Sequence, residues 1–491
     1  MNRDWLLNTT PFEVQIEALK RSEGRTGYCY FLEQGLGKTG VALADFLRLR
    51  LADLVDVLVI VCPNSLKGNW PEESDKNGAG LSCQGKLLKW FIWEGKPPKR
   101  EKDYELYDGF VFNYEAVQHA GGDVIEYILT TFRCMIGFDE SQRIKNPSSK
   151  TTQRLLGSYS KHAIVKRCMS GTPMTNTVLD FYPQLRMAGA LNGSNPISFK
   201  NRFAVVGGFK GKQVVGVKNV EILMQEVEKV SFRATKEVWA KSLPPKIYRE
   251  PIVVPIPKEL QEHYMTMKDE FIVMLESGED VVAEMVATQY NKLQQISSGF
   301  ILDGRDVHRL VETHKLPKFS ALIDVLEANG AMAEHFIDGG QSKTLVFAHF
   351  RETCGELVKT LTAMLPGGVT YILGGMRREE IQYQKDLFNV VGGPQVMVLQ
   401  VSAGREGHTL LGGQPGNMCH TVCYYENNFN LGDRQQSEDR PHRWGQINPV
   451  LYVDFVSSPI ERHVVHSLQE KKDLVAYILD KKKKGELGDI V

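Results

Sequence analysis

The sequence predicts an α/β protein of two parallel-sheet lobes with helical insertions between them. Short apolar strands alternate with helical stretches in two separate regions, and that rhythm is lost between them, from about residue 179 to 317. A third observation is local. Gly35-Leu36-Gly37-Lys38-Thr39 follows the first strand and opens a helix, the setting in which a Gly-rich turn offers backbone N–H groups to phosphate oxygens.

In the first region strands are read at residues 28–32, 57–62, 109–112, 134–139 and 165–170. In the second they fall at 344–348, 369–373, 396–401, 421–425 and 450–456. Most are near-continuous apolar runs, as expected of parallel strands covered on both faces. The stretch between reads as helices at 220–230, 258–275 and 281–297, interrupted by Leu243-Pro244-Pro245-Lys246. A small hairpin over 203–217 is expected to present Lys210 and Lys212. The expected division is an N-terminal lobe over 1–245, with a protrusion at about 179–240, and a C-terminal lobe over 246–491, with a helical protrusion at about 255–315.

Composition sets bounds on function. The 491 residues are 42% hydrophobic, and 59 Lys plus Arg balance 59 Asp plus Glu. Net charge therefore gives no bulk argument for a polyanionic partner, and any basic face must be local. Eight scattered cysteines, several inside apolar strands, fit a reduced, intracellular protein. Cys419, His420 and Cys423 have the look of metal ligands, but the run through Tyr425 reads as a buried strand. No apolar run approaches the length of a membrane span, and the first residues do not form a signal peptide. The expectation is a soluble cytoplasmic protein, with Lys481–Lys484 a solvated basic run.

The chemistry concentrates in three places. In the Gly-rich turn Lys38 is placed to reach the β/γ-phosphates and Thr39 to ligate Mg²⁺. Leu32 stands where a full phosphate-loop pattern has its first glycine. Asp139 and Glu140 end an apolar strand, so Asp139 is expected to hold the metal through water and Glu140 to polarise an attacking water. Arg440 and Arg443, three apart and read as one face of a helix turn, suit the negative charge of a transferring phosphoryl group. Together these predict an ATP- or GTP-hydrolysing site. The competing reading makes Glu438, Asp439, Arg440 and Arg443 a surface ion-pair network.

With these residues in hand, the chain resembles the SWI/SNF-type ATPases of helicase superfamily two from about Pro11 to Leu479. Gln15 matches the family's adenine-reading glutamine, and Glu33 through Thr39 matches motif I. The stretch from Val57 through Ser65 to Trp70 matches motif Ia, and Asp139 through Asn146 motif II. Ser170-Gly171-Thr172-Pro173, followed by Asn176, matches motif III, and Leu345-Val346-Phe347 motif IV. Ser402-Ala403-Gly404 through Gly407 matches motif V, and Gln436 through Gln446 motif VI. Arg233, Lys236, Leu243 to Lys246, Gln294 and Ser298 to Phe300 match inter-lobe signatures.

The resemblance implies two RecA-like lobes and an ATP site with Mg²⁺. Its nucleotide contacts would include Gln15, Gly35, Leu36, Gly37, Lys38, Thr39 and Gly404. It also implies translocation along intact double-stranded DNA, remodelling protein–DNA complexes or branched DNA. Ser65, Lys67, Asn113, Tyr114, Lys145, Ser402 and Thr409 are the DNA contacts it suggests. A strand-separating or branch-migrating helicase and a DNA-binding scaffold without turnover are the alternatives. Three departures bear on coupling: Gln142 replaces a common histidine and weakens the expected link between motifs II and III, His408-Thr409 replaces Leu-Asn, and Trp444 replaces an aliphatic residue. No flanking module is recognised, which gives the expectation of a monomeric bacteriophage or bacterial member.

Overall fold

The computed structural model describes residues 5–174, 177–191, 194–207, 213–276, 283–304, 306–332, 342–404, 410–413 and 417–469. The chain divides into two compact units, Met1–Lys241 and Ser242–Val491.

The first unit is built on strands β1 (Gly27–Leu32), β2 (Val57–Cys62), β3 (Trp90–Ile92), β4 (Gly109–Asn113), β5 (Cys134–Asp139) and β6 (Val165–Met169). A hairpin, β7 (Ala204–Gly207) and β8 (Gln213–Val217), stands apart, and β9 (Ser231–Ala234) rejoins the sheet. The order is β3-β4-β2-β5-β6-β1-β9, and every pairing is parallel. β1, β2 and β5 are buried throughout because helices cover both faces. The phosphate-loop strand β1 lies between β6 and β9, so the loops following β1, β5 and β6 leave the same edge of the sheet. In parallel α/β sheets that carboxyl edge is where ligands bind.

A buried charge cluster fixes the helix after the loop, α2 (Lys38–Leu51), to the strands beneath it. Asp45 accepts from Arg48 at 2.7 Å, from Tyr30 Oη at 2.8 Å and from Arg167 Nε at 2.7 Å. Asp45 and Arg167 are both fully buried. Burial first, and the charge of Asp45 next, push the Tyr30 hydroxyl far above the usual tyrosine range.

The second unit contains β10 (Lys246–Tyr248), β11 (Ile252–Val253), the hairpin β12 (Phe300–Asp303) and β13 (Asp306–Arg309), then β14 (Lys343–Ala348), β15 (Val369–Ile372), β16 (Val396–Gln400), β17 (Cys419–Tyr424) and β18 (Val450–Val456). Its main sheet runs β10-β18-β17-β14-β16-β15, again all parallel, with β11 extending the β18 edge. Arg434 forms the polar centre under this sheet. It holds Asp454 through two nitrogens, bonds Asn427 at 2.7 Å and Glu438 at 2.8 Å, and stacks on the Tyr424 ring at 3.5 Å.

The ten strands read from the sequence appear within two residues of their expected ends, and the intervening helices form at Val220–Lys229, Lys258–Glu276 and Ala283–Ser297. Six short strands were not expected: β3, β9, β10, β11, β12 and β13. Each has only two to four residues, too few to show a periodicity, and several carry charge. The hairpin over 203–217 forms, but Lys210 and Lys212 lie outside the described residues. Cys419 and Cys423 are both buried on β17. Among the described residues no helix is long and apolar enough to cross a membrane.

Candidate active site

The phosphate loop takes its shape from two glycines. Gly35 and Gly37 have φ of +90° and +77°, a region in which a side chain is strained. At Gly37 a Cβ would also lie 2.2 Å from Gln15 Nε2. Gln15 is buried in the first helix, Glu13–Ser22. Its Oε1 accepts from Phe12 N at 2.8 Å, while Nε2 donates to Gly37 O at 3.3 Å. The glutamine thus braces the backbone of the loop. Leu36 is buried, and Lys38 and Thr39 begin α2 half-buried. Lys38 Nζ donates to Leu32 O at 3.0 Å. Glu33 ties the loop to the chain beyond β9, with its N–H on Ala234 O at 2.9 Å and its carboxylate accepting from Lys236 N at 2.7 Å.

Asp139 ends β5 with 8% of its surface exposed. Its Oδ1 accepts from Glu140 N at 3.1 Å, and its backbone carbonyl accepts from Tyr114 Oη at 2.8 Å. Burial, and then the neighbouring Glu140, push the Asp139 carboxyl up to about 7, while Lys38 and a hydrogen bond from the Trp70 side chain pull it down. Lys38 offsets only part of the cost of burying this carboxylate beside Glu140, so a divalent cation fits next to it. Glu140 adopts φ +52°, ψ +52°, a left-handed conformation of the kind that costs about 1–3 kcal/mol and persists where surrounding structure enforces it.

Two glutamines supply that enforcement. Gln142 Nε2 donates to Glu140 Oε2 at 2.7 Å, and its Oε1 accepts from Ser170 Oγ at 2.6 Å. Ser170 Oγ in turn accepts from Thr172 N at 3.0 Å. One continuous path therefore links the Glu140 carboxylate to the loop after β6. The expectation that glutamine would weaken this link is corrected: an amide has a donor and an acceptor and makes both ends of the bridge. The second glutamine, Gln184, was not anticipated. Fully buried on the helix Phe181–Met187, it accepts from Ser141 Oγ at 2.8 Å and donates to Pro173 O at 2.7 Å. Its only signal was an amide among Phe181, Tyr182, Pro183 and Leu185. Gly171 closes the circuit, because a Cβ there would lie 3.1 Å from Gln34 N and 3.5 Å from Lys38 Nζ. The structure thus gathers Gln15, Gly35, Gly37, Lys38, Asp139 and Glu140 at one edge of one sheet.

The other candidates are placed differently. Tyr114, expected at a surface, is buried at 5% exposure with its hydroxyl committed beneath Asp139. It folds inward because that carbonyl offers its hydroxyl a buried partner, so it buttresses the carboxylate. Ser65 and Lys145 are half-buried. Lys67 Nζ donates to Trp93 O at 2.6 Å, and Asn113 Nδ2 to Glu115 at 2.8 Å. Ser402 is exposed on the short helix Val401–Gly404 that follows β16, whose last residue is Gly404. Asn176, Gly407, His408 and Thr409 lie outside the described residues.

Arg440 and Arg443 belong to the second unit. The helix Leu431–Glu438 stops before them, so turns carry them and not one helix face as expected. Arg440 is fully buried, Arg443 is half-buried, and Arg443 Nε donates to Asp439 O at 3.2 Å. Glu438 and Asp439 are drawn inward onto Lys246, at 3.1 and 3.0 Å, rather than spread over the surface.

The chain is 25% identical over 479 residues to the TATA-binding protein-associated factor mot1 of Aspergillus fumigatus, covering 87% of this chain and 24% of that protein. It is 24% identical over 449 residues to the mouse chromodomain-helicase-DNA-binding protein 1-like, covering 88% of this chain and 45% of that one. The chain spans about a quarter of the length of the mot1 relatives it matches. Among solved structures it is similar to the Sulfolobus solfataricus SWI2/SNF2 ATPase core in complex with dsDNA, at TM-score 0.44 and 19% identity, with 100% of this chain and 98% of that chain covered. The SNF2-related domain matches residues 19–299, more than half of a sequence whose phosphate loop, carboxylate pair and linking glutamines share one sheet edge, and the chain belongs to the SNF2-related ATPases.

Proposed function

We propose that this ATPase is stimulated by double-stranded DNA, moves along it without separating the strands, and remodels protein–DNA complexes or branched DNA. The observation that carries the reading is the path Glu140–Gln142–Ser170, which joins the carboxylate pair to a loop packed against the phosphate loop. Such a path lets the state of the nucleotide alter the loop after β6, as conversion of hydrolysis into motion requires. Support for a DNA partner comes from the relatives, whose names include a TATA-binding protein-associated factor and a helicase-DNA-binding protein. The seven described cysteines are all buried and unpaired, in keeping with an intracellular enzyme. We take the monomer as the working unit.

In this reading Lys38 neutralises the β/γ-phosphates, and Thr39, with Asp139 through water, would hold Mg²⁺, which would supply charge stabilisation to the transferring phosphoryl group. Glu140 takes the proton of the attacking water, and Gln142 fixes the orientation of the accepting oxygen. Arg440 and Arg443 answer the charge that develops on the phosphoryl oxygens. Gly404, Leu36 and Gln15 complete the nucleotide contacts, and Ser65, Lys67, Asn113, Lys145, Ser402 and Thr409 are the proposed contacts to the DNA backbone.

Gln142→Leu keeps the side-chain volume but breaks both bridges. It is expected to lower turnover roughly tenfold with little change in KM for ATP, because orientation is lost and binding is not. Steady-state kinetics check this, and an unchanged kcat contradicts the bridge. The function itself is tested by ATP turnover without nucleic acid and with single-stranded DNA, linear duplex, forked DNA or RNA, at two salt concentrations. Plain duplex is expected to stimulate most, and added salt to weaken its effect, since the contacts would be to phosphates. Preference for forks supports branch remodelling, and no stimulation by any DNA overturns the proposal.

A further inference from the structure

We infer that Lys246 is a positioning residue for the turn that carries Arg440 and Arg443. It binds the two residues that precede Arg440 and so joins the start of the second unit to that turn.

The short strand β10 lies on the edge of its sheet, paired with β18 alone, and Ile247 and Tyr248 are 46% and 49% exposed. Three residues and one neighbour make a weak strand, so its side chains and flanks must hold it. Three residues do so, and all reach the segment from Glu438 to His442. Pro244 O meets His442 Nε2 at 2.7 Å. Lys246 Nζ lies 3.1 Å from Glu438 and 3.0 Å from Asp439. Tyr248 Oη donates to Glu438 at 2.8 Å.

The Lys246 ammonium sits over the Tyr452 ring, 5.7 Å from its centre, and Tyr248 stacks on Tyr452 with 5.1 Å between centroids. Burial acts to lower the Lys246 proton affinity, but Asp439 and Glu438 overcome it and hold the group charged, well above the usual lysine range. The carboxylates are only 10% and 6% exposed, so breaking the pair leaves a desolvated charge behind. The backbone of the arginine turn bonds from Arg440 N to Ser437 O, Leu410 N to Arg440 O, Arg443 N to Pro441 O and Gln446 N to Arg443 O. Lys246 therefore fixes the helix end from which the turn departs, and His442 fixes its middle.

The chain leaves the first unit at Lys241 and reaches Lys246 five residues later. A pull on that segment is applied directly to the helix end before Arg440. A positively charged connector seated on the arginine turn thus ties the path of the chain between the units to the groups proposed to answer phosphoryl charge. This inference rests on the proposed roles of Arg440 and Arg443.

The test is duplex-stimulated ATP turnover by the full chain. Lys246→Met with Asp439→Asn removes the pair without orphaning Asp439, while Glu438 keeps Arg434 and Tyr248 as partners. The double variant is expected to lose about tenfold in kcat, the scale set by small misplacements, with KM for ATP within about twofold. On an Arg443→Ala background it is expected to cause no further loss, and Lys246→Arg is expected to restore most of the rate. A purely structural lysine would lower the melting temperature yet leave kcat per folded molecule unchanged. That outcome, or losses that multiply with Arg443→Ala, overturns the inference alone. Full activity of Arg443→Ala overturns the arginine assignment and this inference with it.

Discussion

Lys38→Ala is expected to lower ATP turnover by about 10²–10³-fold or more while the first unit stays folded. Removing a preorganised charge from developing phosphoryl charge has costs of this size. The fold is expected to survive because of what Lys38 does at rest. Among the described residues its ammonium donates to Leu32 O, a half-buried contact at the edge of the sheet, and alanine is a better helix former at the start of α2. The separation of effects is therefore informative. Turnover should vanish in a coupled ATPase assay while circular dichroism and the melting transition barely move. Turnover above a tenth of wild type would remove Lys38 from the phosphate site, and the assignment of Asp139 and Glu140 as its partners would lose its basis.

Asp45→Ala is expected to act in the opposite sense, on the fold first. It strands Arg167, fully buried on β6, leaves the Tyr30 hydroxyl with Ser22 Oγ alone, and frees one side of Arg48. Removing one partner of a buried ion pair typically costs 3–5 kcal/mol, because the remaining charge stays desolvated. The cluster joins α2 to β1 and β6, so the loss should loosen the helix whose first residues are Lys38 and Thr39. Five of the six tryptophans, Trp5, Trp70, Trp90, Trp93 and Trp239, lie in the first unit, and denaturant titration followed by their fluorescence reports that unit. A midpoint within experimental error of wild type would show that the cluster contributes little. Asp45→Leu with Arg167→Met, which removes both charges, should recover much of the loss.

Sequence patterns reveal elements whose burial is uniform. β1, β2, β5 and β16 could be read directly because each is a continuous apolar run covered on both faces. β9 could not: Ser-Phe-Arg-Ala is four residues with a charge in it, and its partner β1 lies about two hundred residues earlier. The site divides the same way. Lys38, Asp139 and Glu140 announce themselves by residue type at a strand end. Their supports do not, because Gln184, Trp70 and Tyr114 act through contacts that only the folded chain creates. Gln142 was visible but misjudged. A histidine and a glutamine have little in common as titrating groups, yet either can present a donor at one end and an acceptor at the other.

The position of β9 bears on how the first unit can be assembled. Cys29 N and Glu33 N find their partners in Val230 O and Ala234 O, so the strand that supports the phosphate loop has an open flank until the last part of the unit is present. A nascent chain that has made everything through the loop after β6 still carries an unpaired, wholly apolar edge, the kind of surface that recruits strands from other molecules. Closing it demands a contact of long sequence separation, the slow kind in folding. The nucleotide loop, written near the beginning of the chain, becomes mechanically complete among the last events of its own unit, and a fragment cut before Ser231 would keep every residue of the phosphate loop and lose the strand that shields it.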